Sequence, residues 1–236
     1  MSPAGSVPPP RITIVIPAID EEASLPLVLG DLPWDLVHEV IVVDNGSRDR
    51  TAEVARAGGA RVIREDRRGY GSACLAGIAA ADRPDILVIL DGDYSDHPEE
   101  LPAIVGPIIE DRADLVIGSR DNEGCEPGAL LPQARFGNRL ACFLIALFFR
   151  RRFTDLGPFR ALRWSSLQEL ALKDLNFGWN VEMQIKAIQK GLRIVEVPVR
   201  YRCRVGRSKI TGTISGTLRA GYKILWTIFR YGLLRR

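Results

Sequence analysis

The sequence predicts an α/β fold in which a mostly parallel central sheet is flanked by helices. Short, β-branched apolar runs alternate with helical segments between residues 11 and 118, as expected for parallel strands joined by right-handed crossovers. Residues 86–90 are apolar at every position, which is typical of a strand buried on both faces. This run ends in Asp91, Asp93 and Asp96, and the carboxyl end of such a strand is where open α/β sheets bind ligands.

The elements follow from periodicity and from turn residues. The predicted strands are residues 12–16, 40–43, 61–64, 86–90, 114–117 and 192–201. The predicted helices are residues 21–30, 51–57, 72–81, 98–110, 135–151, 164–172, 179–190 and 217–234. Pro17 stops the first strand, and Asp49 is placed to cap the second helix. Asp96 is expected to cap the helix that begins at Pro98 rather than to support a ligand.

Composition indicates one globular domain. The chain has 236 residues, of which 46% are hydrophobic and 26% charged, so it can bury a substantial core. Residues 1–10 are rich in Ser, Gly and Pro and predict a flexible leader without a signal peptide. Residues 11–236 predict a single catalytic domain, with a nucleotide-binding half at 11–120 and an acceptor-facing half at 121–236 that ends in an amphipathic helix.

Charge and cysteine usage restrict the partners and the compartment. The net charge is only +3, but the basic residues concentrate in the last third of the chain. This pattern favours a local anionic partner over a surface that coats nucleic acid. The four cysteines have no metal-binding spacing, which predicts reduced thiols in a cytoplasmic protein and neither a zinc site nor a disulfide framework. No apolar run approaches the length of a membrane span.

Asp91 and Asp93 are the candidate metal ligands. Residues two apart in an extended segment point the same way, so the two carboxylates can converge on one cation, and Gly92 between them leaves room for a ligand. Mg²⁺ or Mn²⁺ held by one or two carboxylates and by phosphate oxygens is the expected chemistry. The alternative is an acidic, solvated loop.

The glycines at Gly69 and Gly71 do not form a dinucleotide fingerprint. The third glycine of that motif is missing, because position 74 is Cys. No Walker lysine follows a glycine-rich loop either. The sequence therefore disfavours a nicotinamide-dependent enzyme and a P-loop ATPase.

Six motifs in order resemble one family. They are Ile16-Pro17-Ala18-Ile19-Asp20-Glu21-Glu22, Val42-Val43-Asp44-Asn45-Gly46-Ser47, Asp91-Gly92-Asp93, Gly118-Ser119-Arg120, Thr154-Asp155-Leu156-Gly157-Pro158-Phe159-Arg160 and Arg204-Val205-Gly206-Arg207-Ser208-Lys209. Together they resemble the inverting glycosyltransferases of family 2, which have the GT-A fold, and within them the dolichyl-phosphate mannose and glucose synthase branch. The resemblance spans about residues 11–225.

The resemblance implies a role for each matching residue. Donor binding falls to Pro17, Ala18, Glu21, Asp44, Gly46, Asp91, Gly92, Asp93 and Glu182, with Asp91 and Asp93 holding Mg²⁺ or Mn²⁺. Asp93, Arg120 and Arg204 are the expected catalytic residues. Phosphate and acceptor binding falls to Arg120, Arg135, Arg202, Arg204, Ser208 and Lys209. The implied donor is a UDP- or GDP-hexose, and the implied acceptor is a polyprenyl phosphate.

Three departures from the family pattern affect these assignments. Ile19 stands where Tyr is frequent and Asn45 where a second Asp is frequent, so contacts to the base can differ. The basic loop is one residue shorter than the family's, which leaves open whether Arg202 or Arg204 takes the arginine role. Asp155 and Arg160 either face the acceptor or form a buried pair that shapes their loop.

The chemistry of the acceptor agrees with the resemblance. A hydroxyl acceptor needs a carboxylate base, whereas a lipid phosphate is already ionised and needs only cationic donors and alignment. The two histidines, His38 and His97, are not placed as bases, and arginine suits phosphate contact. Two alternatives stay open: a soluble or small-lipid hydroxyl acceptor, and a non-catalytic nucleotide-binding subunit.

Two amphipathic stretches bear on the membrane. Residues 140–149 are apolar almost all round, and residues 222–231 carry a Trp, Tyr and Phe face beside Lys and Arg. Both fit an in-plane helix at the inner face of a cytoplasmic membrane, which predicts a peripheral location. A core helix and a contact within a homo-oligomer explain the same patterns.

Overall fold

A seven-stranded sheet forms the centre of the molecule. The computed structural model describes residues 8–206 and 214–233. The strands are β1 (Ile12–Ala18), β2 (Glu39–Asp44), β3 (Arg61–Arg64), β4 (Ile86–Ile89), β5 (Leu115–Ser119), β6 (Arg160–Arg163) and β7 (Ile194–Pro198). Their spatial order is β3-β2-β1-β4-β6-β5-β7. All pairings are parallel except those of β6, which is antiparallel to β4 and to β5. The predicted fold class is confirmed.

Eight α-helices are assigned in the described residues. They are α1 (Leu25–Gly30), α2 (Thr51–Ala57), α3 (Tyr70–Ala80), α4 (Leu101–Ile109), α5 (Pro132–Phe149), α6 (Trp164–Leu170), α7 (Trp179–Gln189) and α8 (Ile214–Leu233). A single 3₁₀ turn at Pro98–Glu100 precedes α4. The predicted helix at 21–30 was too long at its start, because residues 21–24 form a turn before Leu25.

Both faces of the sheet are buried, which explains why the strands are apolar at nearly every position. On one face, Val15 and Leu87 belong to a buried cluster that also contains residues of α3, α5, α6, α7 and α8. On the other face, Ile14 and Val88 pack against α1, α2 and α4. Successive side chains of a strand point to opposite faces, so each strand needs apolar residues in both sets.

Strand β6 was not predicted. Its residues, Arg160–Arg163, follow the segment that the sequence suggested was a loop, and they carry an arginine at each end. Arg160 is fully buried, and its guanidinium donates to the carbonyls of Leu156, Gly157 and Asn180. In the sheet, β6 lies between β4 and β5, although only two of its four residues are apolar.

Candidate active site

The main cleft opens at the carboxyl ends of the strands. It has a volume of about 370 Å³, and one of its sides is polar whereas the other is apolar. Asp91, Asp93, Arg120 and Arg204 contribute the polar side, which we call the floor. The apolar side, which we call the wall, comes from α5, α7, α8 and the loop before β6; its residues include Leu131, Ala134, Leu156, Pro158, Phe177, Val181, Ala220 and Ile224.

Asp91 lies directly beyond β4, as the sequence predicted. Tyr70, at the start of α3, donates its hydroxyl to Asp91 Oδ1 at 3.0 Å. Burial and the neighbouring charge of Asp93 raise the pKa of Asp91 to about 7. A cation at this point would offset both effects, because it stabilises the ionised carboxylate.

Asp93 connects the floor to the segment that carries Arg204. The backbone amide of Ser95 donates to Asp93 Oδ1 at 3.0 Å, and Arg204 Nη1 lies 3.1 Å from Asp93 Oδ2. The other terminal nitrogen of Arg204 donates to Glu21 Oε1 at 3.0 Å. The amide of Val205 also donates to the carbonyl of Asp93. Arg204 thus links the loop after β1 to the loop after β4.

Arg120 is held by a buried carboxylate. Its Nε and Nη2 donate to the two oxygens of Asp155 at 2.7 and 2.8 Å, and its backbone amide donates to Oδ2 at 2.8 Å. The guanidinium also lies over the ring of Tyr201, 4.8 Å from the centroid. Burial alone would raise the pKa of Asp155, but the charge and hydrogen bonds of Arg120 bring it below its ordinary value. The buried partner of Asp155 is therefore Arg120 and not Arg160.

The donor set at Asp91 and Asp93 fits a hard divalent cation. Two carboxylates supply oxygen ligands, and Mg²⁺ or Mn²⁺ completes its shell with water and phosphate oxygens. Within residues 8–206 and 214–233, no group of three or more His, Cys, Asp or Glu side chains is arranged to hold a metal. A metal held by these two carboxylates would take its remaining ligands from water or from a bound diphosphate.

Asp96 does not cap the helix at Pro98, so that prediction was wrong. Its carboxylate is buried, and neither oxygen has a hydrogen-bond partner within the described part of the chain. Burial, together with the charge of Asp91, raises the pKa of Asp96 well above its usual range. The backbone of Asp96 pairs with that of Tyr201 through an isolated antiparallel bridge.

The predicted nucleotide-side residues meet at the ends of β1 and β2. Ala18 is the register partner of Asp44, so Pro17, Ala18, Asp44 and Gly46 lie at one edge of the sheet. Asp44 Oδ1 accepts the amide of Ser47 at 2.8 Å. Pro17 borders the floor, because a Cβ at Gly92 would lie 3.5 Å from the Pro17 carbonyl oxygen.

Asn45, a departure from the family pattern, has a structural role. Its amide nitrogen donates to the carbonyls of Glu65 and Arg67 at 2.9 Å, and its oxygen accepts the amide of Gly69 at 2.8 Å. The side chain needs both a donor and an acceptor, which a carboxylate does not provide.

Several predicted site residues lie away from the floor. Glu182 accepts hydrogen bonds from the amides of Lys173 and Asp174 and from the Tyr231 hydroxyl, so it ties α7 to α8 outside the cleft. The guanidinium of Arg202 lies 3.5 Å from the ring centroid of Tyr94 and does not line the cleft. Between the two arginines left open by the loop spacing, the geometry favours Arg204.

Arg135 and the basic loop remain predictions. Arg135, on α5, lines a small pocket of about 50 Å³ beside the cleft, together with Arg120, Asn138 and Arg139. Ser208 and Lys209 lie outside the described residues.

Sequence reasoning missed two tyrosines and the apolar wall. Tyr70 lies between Gly69 and Gly71. These two glycines were considered only as part of a dinucleotide-binding motif. Any Cβ at Gly71 would collide with the carbonyl oxygen of Asp174, so this glycine lets the chain before α7 pack against α3 and brings Tyr70 to Asp91. Tyr201 gave no signal, because its contact with Arg120 joins residues far apart in sequence.

Paired carboxylates at the end of a buried strand, with arginines beside them, are typical of enzymes that bind a nucleotide diphosphate through a divalent metal. Residues 13–170 match the family model described as glycosyl transferase family 2. The match covers more than half of the 236 residues, and the chain belongs to this family. It is a glycosyltransferase.

Three known proteins illustrate the similarity. A dolichyl-phosphate hexose transferase of Haloferax volcanii is 37% identical over 205 residues, which cover 84% of this chain and 86% of the relative. An undecaprenyl-phosphate mannosyltransferase of Micrococcus luteus is 33% identical, with 96% of each chain covered. The crystal structure of glucosyl-3-phosphoglycerate synthase from Mycobacterium tuberculosis with Mn²⁺, UDP and phosphoglyceric acid has a TM-score of 0.78 at 25% identity, covering 94% of this chain and 78% of that one. The predicted GT-A fold is confirmed by this likeness.

Proposed function

We propose that this glycosyltransferase moves a glucose or mannose from a nucleotide-diphosphate sugar to a polyprenyl phosphate, with inversion at the anomeric carbon and with Mg²⁺ or Mn²⁺ as cofactor. One observation carries the proposal. Among the described residues that line the cleft, Asp91 and Asp93 are the only acidic ones and none is histidine. If both carboxylates hold the metal, none remains in that lining as a general base. An acceptor that is already ionised fits this cleft better than a hydroxyl.

The donor half of the proposal assigns the floor to the diphosphate. Asp91 and Asp93 would hold the metal, which supplies positive charge to the departing nucleoside diphosphate. Arg120 and Arg204 point their guanidinium groups at the same cleft and would stabilise the negative charge that develops on the leaving β-phosphate. Pro17, Ala18, Glu21, Asp44 and Gly46 would bind the base and ribose.

The acceptor half of the proposal assigns the small basic pocket to the acceptor phosphate and the wall to the prenyl chain. Arg135, with Arg120 beside it, would hold the acceptor phosphate, and the apolar residues of α5 and α8 would contact the first prenyl units. A phosphate oxygen then bonds to the anomeric carbon as the bond from that carbon to the β-phosphate oxygen breaks. No proton has to be removed from the nucleophile. Arg202, Ser208, Lys209 and Glu182 stay predictions without a geometric role here.

The relatives support this acceptor class, since two of them are named as transferases that act on dolichyl phosphate and on undecaprenyl phosphate. The solved neighbour favours a second candidate. It was crystallised with phosphoglyceric acid, a small soluble acid that also carries a phosphate. The pocket of about 50 Å³ lined by Arg120, Arg135 and Arg139 has the charge to take such a group. A soluble phosphorylated acceptor is therefore the alternative.

Two further expectations belong to the proposal. We propose that residues 11–236 act as one catalytic domain, which is supported by a single sheet that contains strands from both predicted halves. We also propose a peripheral location at the inner face of the membrane. None of the helices in the described residues has the length and apolar character needed to cross a bilayer.

The first experiment is a thermal-shift panel of UDP, GDP, UDP-glucose and GDP-mannose, each with and without Mn²⁺. A ligand that binds only the folded state raises the melting temperature, so one base should give a Mn²⁺-dependent shift. The Asp93→Asn variant should lose the Mn²⁺-dependent part, whereas Asp35→Asn, an exposed aspartate outside the cleft, should keep it. Absence of any shift with all four ligands would contradict the donor assignment.

The second experiment decides the acceptor. The donor that binds is supplied in radiolabelled form with a short prenyl phosphate, with phosphoglyceric acid, or with a prenyl alcohol. Label should move to the prenyl phosphate. Transfer to phosphoglyceric acid alone would establish a soluble phosphorylated acceptor. Transfer to the alcohol alone would contradict the inference that the cleft has no general base.

A further inference from the structure

Helices α5 and α8 present a continuous apolar surface to solvent. On α5, Phe136, Phe143 and Leu147 recur at intervals of seven and four residues, and the last two are each 62% exposed. On α8, the exposed residues recur at intervals of three or four, and they are Leu218, Tyr222, Trp226, Phe229 and Leu233. Such spacing places each set along one face of its helix. We call the two sets together the apolar band.

The two rows of the apolar band lie side by side. Phe229 of α8 meets Phe148 of α5 edge to face, with ring centroids 5.5 Å apart. Gly232 of α8 also lies against Phe148, where an added Cβ would come within 3.0 Å of the ring. The opposite face of α5, with Ala141, Ile145 and Phe149, is buried in the core. The residues that the sequence described as apolar all round are therefore divided between the core and solvent.

The charged residues of α5 and α8 have one sign, although Arg139 lies 3.9 Å from Asp121 and Lys223 lies 2.9 Å from Asp174. Neither α5 nor α8 contains an Asp or Glu. Five exposed arginines lie on these helices or at their ends: Arg135, Arg139, Arg150, Arg219 and Arg230. At 100° per residue, Arg139 falls on the flank of α5 away from Phe148, and Arg219 and Arg230 fall on the flank of α8 away from Gly232. Arg150 directly follows the end of α5. The band is thus bordered by cations on both sides.

We propose that the apolar band docks this protein onto an anionic membrane surface, with α5 and α8 lying in the plane of the interface. Aromatic and aliphatic side chains with a border of arginines match the boundary between acyl chains and anionic headgroups. A second copy of the chain fits less well, because a two-fold contact between identical faces would bring these arginines close to their own copies.

Docking through the apolar band would also place the cleft at the membrane surface, and the importance of this position rests on the proposed function. The start of α5, with Leu131 just before it and Ala134 within it, and the middle of α8, with Ala220 and Ile224, form part of the wall of the cleft. The same helices carry the apolar band on their outer side. A docked enzyme would therefore hold its wall at the bilayer surface, where a prenyl chain can reach the floor with its phosphate while its tail stays in the lipid.

Flotation with vesicles tests the docking without any assay of transfer. The full chain should float with vesicles of phosphatidylcholine and phosphatidylglycerol, and less with phosphatidylcholine alone or at high salt. Tyr222→Ser with Trp226→Ser should weaken binding at least about tenfold. The matched control, Leu36→Ser with Ile109→Ser, removes two exposed apolar residues elsewhere and should bind as the wild type does.

Separate variants test the role of the arginines and the depth to which the apolar band inserts. Arg219→Gln with Arg230→Gln should weaken binding to the anionic vesicles. Arg56→Gln with Lys190→Gln, which removes one exposed cation on α2 and one directly after α7, should not. Brominated lipids should quench part of the tryptophan fluorescence, and Trp226→Phe should remove that part while keeping an aromatic ring.

The outcomes separate this proposal from the proposed function. Equal flotation of the Tyr222→Ser, Trp226→Ser variant and the wild type would overturn the docking. It would also be overturned if this variant changed a dimer to a monomer and neither form bound vesicles, since a second copy would then be the occupant. Transfer to a short prenyl phosphate in the absence of vesicles tests the function alone. Vesicle binding without transfer to any prenyl phosphate would leave the docking in place and reject the acceptor.

Discussion

The floor and the wall of the cleft are built by different kinds of structure. The floor residues Asp91 and Asp93 follow directly from the end of β4, whose neighbours β1 and β6 hold it on both sides. The wall comes largely from α5 and α8, which pack against α7 and against each other through one face and leave the other exposed. Charged groups are thus held by the central sheet, while the apolar surface is held by helices at the periphery.

This difference suggests how chemistry and acceptor choice are separated in the molecule. A carboxylate at a strand end is held by a network of backbone hydrogen bonds, so its position varies little. A helix that packs through one apolar stripe can change its outer residues without changing the sheet. We therefore expect substitutions in the floor to affect the chemical step, and substitutions in the wall to affect the acceptor.

The largest effect is expected for Asp93→Ala. Loss of one carboxylate removes a metal ligand and the partner of Arg204 at 3.1 Å, so turnover should fall by at least on the order of 100-fold. Initial rates at saturating donor and Mn²⁺, with circular dichroism to verify folding, measure this. Wild-type turnover in a folded Asp93→Ala variant would show that Asp93 is not required for catalysis.

Asp155→Asn tests the buried support of the floor. The substitution leaves the Arg120 guanidinium buried without its counter-ion, which should lower the free energy of unfolding by about 3 kcal/mol. Urea titration measures the change. The comparison variant is Asp111→Asn, because Asp111 is 75% exposed in its pair with Arg193 and the substitution should cost much less stability than Asp155→Asn does. Equal costs for the two variants would show that burial of the Arg120 pair has no energetic importance.

Acid should weaken the same support. The pKa of Asp155 is lower in the folded protein than in the unfolded chain, so its stabilising contribution is fully present above the unfolded value of about 3.9. That contribution is lost as the pH falls through the lower folded value. Urea midpoints between about pH 6 and pH 3 should therefore decline less in Asp155→Asn than in the wild type. Parallel pH profiles would contradict the assignment.

Ile224→Ser tests the wall. Ile224 lies on the apolar side of the cleft, and replacing it removes surface that a prenyl chain would contact. The KM for a short prenyl phosphate should rise about tenfold, with the KM for the donor unchanged. Ile109→Ser, which removes an exposed isoleucine from α4, should change neither constant. A rise in the donor KM instead would place the donor against the wall.

The smallest effect is expected for Tyr231→Phe. The Tyr231 hydroxyl donates to Glu182 at 2.7 Å, and this bond helps to hold α8 against α7. Its loss should cost about 1 kcal/mol of unfolding free energy, because Glu182 keeps its other donors. Tyr222→Phe, on the exposed face of the same helix, should leave the urea midpoint unchanged.

Much of the floor could be predicted because its signals are local. The apolar run before Asp91 identifies a buried strand, and the acidic residues after it identify the strand's carboxyl end. Arg120 was placed by the Gly-Ser-Arg motif at the end of β5. Its dependence on Asp155 was not predictable, because the two residues are 35 apart in sequence and meet through a side-chain contact.

Glu182 and Asp96 have contacts that local patterns did not reveal. A motif position suggested donor binding for Glu182, but its carboxylate is engaged by backbone amides and by Tyr231 from α8. A position just before Pro98 suggested a helix cap for Asp96, but the bridge to Tyr201 turns its backbone another way. In both cases a residue from a distant part of the chain determined the outcome.

The sequence by itself determined the strands β1 to β5 and β7, the helices between them, the edge of the sheet where the carboxylates lie, and the family. These features depend on the alternation of apolar runs and turn residues, which acts over a few positions of chain. Only the tertiary structure decided the antiparallel position of β6, the pairing of Arg120 with Asp155, the choice of Arg204 over Arg202 at the cleft, and which side of α5 is exposed. Each of these depends on pairing or packing between residues far apart in the sequence, and local periodicity carries no information about which distant partner is chosen.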